Sequence, residues 1–139
     1  MDKSRPPEAF GVFKPAGHTV VVFRNGTDLA AAQAALRARG FEGSSMVRYA
    51  PDEMLALVDV ELQNAGVLAS FGYELDLVKA HRAQAQGGCS FLIVHAPDEA
   101  TAQRVSSIVQ TTNAVAAQHY GTFMIEELLE PTPGGATAA

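Results

Sequence analysis

"CSFLIVHAPDEATAQ", residues 89–103, decides the fold. Its first part is an unbroken apolar run too short for a helix and rich in residues that favour strands. "APD" then breaks the run, and Asp98 stands where a helix N-cap belongs. Ala102, Val105, Ile108 and Val109 return at helical spacing, and "VAAQHY" at 115–120 supplies a second strand.

An earlier stretch has the same grammar. "HTVVVF" at 18–23 is β-branched and aromatic, Asn25-Gly26 turns the chain, and Thr27 or Asp28 is placed to cap a helix over about 28–39. That helix keeps Leu29, Ala32 and Leu36 on one side, with Gln33, Arg37 and Arg39 largely elsewhere, and stops at Gly40. "SSMVRY" at 44–49 is the next strand, and "DLAAAQ" at 28–33 matches "DEATAQ" at 98–103 in four positions. Two β-α-β units in one small domain predict an α+β, ferredoxin-like βαβ-βαβ sandwich, with an antiparallel sheet in the order 4-1-3-2.

Between the units lies an insertion, residues 51–87, where a short connection would suffice. Pro51 opens one helix with Asp52 and Glu53 in its first turn, and a second helix over about 66–86 ends at Gly87-Gly88. The second helix has an apolar stripe of Leu68, Phe71, Leu75 and Val78, and another side formed by Tyr73, Leu77 and Ala80. The first is apolar nearly all round, through Met54, Leu55, Leu57, Val58, Val60 and Leu62. Such a pair needs a second partner, either the open sheet face or another subunit, so a homo-oligomer is expected, most simply a dimer with Tyr73, Leu77 and Ala80 in its interface.

At 139 residues, 47% hydrophobic and 18% charged, the chain suits one globular domain without staples. We divide it into an irregular lead-in (1–17), a domain (18–130) and a disordered tail (131–139, "PTPGGATAA"). The first 17 residues lack the apolar stretch of a secretory signal, and no apolar run is long enough to cross a bilayer. A cytoplasmic protein is expected, with no membrane partner. A net charge of -5 with scattered basic residues also argues against nucleic acid.

"FGYELDL" (71–77), "GCSFLIVHAPDEA" (88–100) and "QHYGTFMIEEL" (118–128) resemble small uncharacterised bacterial α/β proteins related to the general-stress, heat-induced stress protein group. Tyr120-Gly121 followed by "IEEL" is the most distinctive part. The resemblance covers roughly 18–129 and implies a ferredoxin-like fold and a stress-associated setting. It implies no reaction, and the sequence itself carries no cofactor motif, so no cofactor is expected.

Candidate chemistry therefore comes from the residues. His18 and His95 fall at one end of neighbouring antiparallel strands, with His119 on the strand beyond, so three imidazoles could approach and hold a divalent metal with Asp98 as a fourth ligand. The plainer alternative is a polar sheet rim. Cys89 follows two glycines and opens an apolar strand without a base nearby, which suits a small hydrophobe better than a nucleophile. His81, beside Leu77, is expected at an interface or the surface.

Arg24, Asn25 and Gly26 form a strand-to-helix turn that can present donors to a small ligand, though it lacks the glycines and lysine of a phosphate loop. Tyr120 before Gly121 marks a possible bulge where a ligand approaches. Adjacent Glu126 and Glu127 point apart on a strand, and with Glu130 suit a solvated terminal segment better than a carboxylate pair. The expected function is a small oligomeric domain, without catalytic residues, acting by protein association or small-ligand binding. A small enzyme or metal protein using His95 or His119 in a pocket is the alternative.

Overall fold

Val20, Val21, Val22 and Phe23 are each wholly buried. Successive strand residues point to opposite faces, so a strand with nothing exposed needs a core on both sides. The computed structural model, which describes residues 8–9, 12–13, 16–63, 73–121 and 125–129, supplies both.

The chain begins with a small antiparallel ribbon, β1 (Glu8–Ala9) and β2 (Val12–Phe13), within the stretch expected to be irregular. β3 (His18–Phe23) leads to α1 (Gly26–Ala38), a short 3-10 turn (Gly43–Ser45) and β4 (Met46–Tyr49). α2 (Pro51–Gln63) and α3 (Tyr73–Gln86) form the insertion. β5 (Ser90–His95), α4 (Glu99–Val109), β6 (Ala114–Tyr120) and β7 (Ile125–Glu127) complete the fold.

The main sheet is open, five-stranded and antiparallel, in the order β4-β5-β3-β6-β7. It therefore has one strand more than the four expected. β7 comes from the "IEEL" segment and satisfies the outer backbone groups of β6, which would otherwise form an exposed edge.

One face packs against α1 and α4 through Val21, Phe23, Leu92 and Val94, which meet Leu29, Leu36, Val105 and Ile108. The other face, of Val20, Val22, Phe91 and Ile93, meets Met54, Val58, Leu77 and Val78 of α2 and α3. The described part of the insertion thus covers the sheet's second face through Met54, Val58, Leu77 and Val78, while Val60 on α2 stays 53% exposed. Among the described residues, no helix is long and apolar enough to cross a membrane.

The helix ends follow local chemistry. Asn25 caps α1, not Thr27 or Asp28: its backbone is extended and its side chain accepts from the Asp28 N–H at 2.8 Å. Asp98 caps α4 through the Thr101 N–H, also at 2.8 Å. α1 ends with Gly40 at φ 98°, where the Phe41 N–H donates to the Leu36 carbonyl and that of Gly40 to Arg37. Gly88, at φ 93°, ends α3 in the same way, with the Cys89 N–H on the Gln84 carbonyl.

Candidate functional site

Two consecutive polar residues, Gln118 and His119, lie in the buried part of β6. Because a strand alternates, each enters a different core, where an unpaired polar group would be costly. The β6–β7 register places Glu127 beside Gln118 and Glu126 beside His119, so each face acquires a line of polar groups ending in a carboxylate.

On the α2/α3 face, His81 reaches from α3 to Gln118, its Nε2–H donating to Oε1 at 3.2 Å. The Gln118 amide then donates to Glu127 Oε1 at 3.4 Å. His81 is only 3% exposed and meets the Phe91 ring edge-on, with centroids 5.6 Å apart. Burial lowers its pKa from 6.5 to about 4, opposed by the hydrogen bond it donates to Gln118. Burial pushes the Glu127 carboxyl upward, with Gln118 again opposing. The expectation of a surface or interface role for His81 is corrected: α3 turns the side that holds Leu77, Val78, His81 and Ala85 toward the sheet.

On the α1/α4 face, Thr19 Oγ1 lies 3.0 Å from His119 Nδ1. The hydroxyl donates to Nδ1 when the imidazole is neutral with its proton on Nε2. Burial lowers the His119 pKa, while the Glu126 carboxylate opposes the shift. Glu126 also lines a cleft of about 270 Å³ between α4 and β7, with Glu99, Ala102, Gln103, Ser106, Ser107 and Leu128. A second groove of about 440 Å³ shares Gln103 and Ser107 but is bordered by Arg39 and Arg104. Arg104 is tied down there, donating to the Arg39 carbonyl at 2.8 Å and lying over the Phe41 ring.

The three histidines do not converge. His18 and His95 are cross-strand partners on the α2/α3 side of the sheet, whereas His119 pairs with Thr19 and points to the other side. Among the described residues, no group of three His, Cys, Asp or Glu side chains is placed to hold a metal. Asp98 serves as a helix cap, and its hydrogen bonds from Thr101 hold its pKa down.

The ligand candidates are also separated. Arg24, Asn25 and Gly26 follow the end of β3, while Tyr120 pairs with His18 at its start. Six strand residues place these ends roughly 17 Å apart. Asn25 is engaged as the α1 cap. Of the interface candidates, Leu77 is 7% exposed within the core of its own chain and Ala80 is exposed. The side chain of Tyr73, the stripe positions Leu68 and Phe71, Glu130 and the 131–139 tail lie outside what is described.

Cys89 is half-buried beside the α2/α3 core. Burial raises its thiol pKa despite nearby Arg24, opposite to what a nucleophile requires. Sequence reasoning missed Thr19, Gln118 and Glu127 as partners. The available signal was "QH" within an otherwise apolar strand, which forces one polar side chain into each core.

Compared with known proteins, the chain matches no family model, no curated protein and no solved structure.

Proposed function

We propose that this chain is a small-ligand binding domain, without catalytic residues, and that its site is the cleft between α4 and β7. The observation that carries this reading is the double role of Glu126, which lines the cleft and stands beside buried His119 in the β6–β7 register. His119 is 6% exposed and Thr19 not at all, so a ligand meets the carboxylate and not the imidazole or hydroxyl. Such an arrangement supports recognition over acid–base chemistry.

Glu99 and Glu126 give the cleft its charge, Gln103, Ser106 and Ser107 give it neutral hydrogen-bonding groups, and Ala102 and Leu128 give it apolar contact. These walls suit a small molecule with an amine or several hydroxyls on a short carbon skeleton. The arginine-bordered groove beside it has the opposite charge and would favour a different ligand.

The fold reading belongs to the same proposal. Taken from β6 inward, the sheet runs β6-β3-β5-β4, which supports a ferredoxin-like 4-1-3-2 core extended by β7 and by the α2–α3 insertion. The stress-group resemblance would add a cellular setting, but it adds no chemistry to the cleft.

A panel of small primary amines and polyols, titrated into the labelled protein by NMR, tests the site. The expected outcome is saturable shifts of Gln103, Ser106 and Glu126 that disappear in Ser106→Phe, which fills the cleft, and weaken in Glu126→Gln. No shifts with any compound, or shifts unaffected by Ser106→Phe, would overturn the proposal.

A further inference from the structure

His18 and His95 face one another across β3 and β5, with ring centroids 4.9 Å apart and planes tilted by 44°. The Ala96 N–H donates to the Gly17 carbonyl immediately beyond the pair. That bond makes His18 and His95 a non-hydrogen-bonded pair of the ladder, the type in which facing side chains come closest. His95 is exposed and His18 half-buried, so solvent and ions can reach them.

His18 Nδ1 lies 2.9 Å from the Ala16 carbonyl, which can only accept. The Nδ1 proton is therefore used in that bond, and in the neutral ring the lone pair lies on Nε2. A backbone carbonyl that fixes the tautomer in this way is the usual second neighbour of a metal-binding histidine. With metal–nitrogen bonds of about 2 Å, two imidazoles on one tetrahedral ion have centroids roughly 5 Å apart, close to the observed spacing.

We propose that His18 and His95 form a two-imidazole site for a divalent transition metal ion such as Ni²⁺, Cu²⁺ or Zn²⁺, with water completing the coordination. Imidazole nitrogen suits this class of ion better than Mg²⁺ or Ca²⁺. The site is independent of the α4–β7 cleft, because it lies on the other side of the sheet. It also differs from the three-histidine centre considered from the sequence, since His119 takes no part.

The test is titration of the untagged full chain with Ni²⁺, followed by calorimetry, with Cu²⁺ bound separately to read its nitrogen ligands by electron paramagnetic resonance. One equivalent should bind, and the Cu²⁺ spectrum should show two nitrogens. His95→Gln and His18→Asn should each weaken binding by about tenfold or more and leave one nitrogen, whereas His119→Gln should bind as the parent does. Absence of binding, equal binding by the His18 and His95 variants, or loss of binding in His119→Gln would overturn the assignment.

Discussion

The two faces of the sheet each enclose a histidine held by a polar partner, but the packing over them differs. His81 comes from α3 into the α2/α3 core, packs against Phe91 and hydrogen-bonds Gln118 on β6. His119 belongs to β6 itself, and the carboxylate beside it, Glu126, borders a cleft. Enclosure makes the first a structural group whose charge the fold opposes. The second is buried too, at 6% exposure, but the carboxylate beside it lies at the surface and borders the cleft.

The broadest way to break this comparison is to ask whether both faces are true cores. Phe23 serves one and Phe91 the other, and both are fully buried. Phe23→Ala and Phe91→Ala should each cost about 3–5 kcal/mol in chemical denaturation. If Phe91→Ala costs less than about 1 kcal/mol, the α2–α3 layer does not close the second face as a core does.

Acid should sharpen the contrast. The His81 pKa is about 4 in the fold against 6.5 as the ordinary value, so between these values the unfolded chain binds more protons. Stability must then fall as pH falls through that window, by roughly 3 kcal/mol from this residue. His119 acts in the same direction, while Glu127, whose pKa is raised, acts in the opposite one near the carboxylate range. Denaturant midpoints between pH 7 and pH 4 should show most of this slope disappear in His81→Leu. An unchanged slope would mean that His81 is not the sealed group.

A smaller effect separates local from tertiary stabilisation on the α1/α4 face. Asn25→Ala removes the cap of α1 and should cost about 1 kcal/mol without altering the pH slope. The smallest effect concerns His119. Glu126→Gln removes the charge that favours protonated His119, so the NMR titration of His119 should move to lower pH. A shift to higher pH, or none, would separate Glu126 from His119 electrostatically.

Much of the architecture was legible because its causes are local. "HTVVVF" and "SFLIV" show no alternation, and the strands they form have both faces covered. Gly40 and Gly88 mark helix ends because the left-handed conformation there is strained for other residues. The cap moved from Thr27 or Asp28 to Asn25, a shift of the kind local patterns cannot fix, since all three side chains can accept a hydrogen bond. β7 was not read as a strand, because its three residues gain their structure from pairing with β6.

The candidate site was far less legible. The His18–His95 approach followed from antiparallel topology, but the exclusion of His119 needed the register that sends it to the other face. The burial of His81 needed to know which side of α3 meets the sheet, and its bond to Gln118 spans 37 positions. Thr19 and His119 are 100 apart.

The sequence by itself determined the four strands β3, β4, β5 and β6, most helix ends and the existence of an insertion, because periodicity and turn chemistry operate over a few neighbouring residues. Only the tertiary structure decided that the insertion closes the sheet's second face, that Gln118 and His119 serve opposite cores, and that Glu126 reaches a cleft. Those outcomes depend on register and on which helix side packs inward, where a shift of one residue exchanges buried and exposed partners.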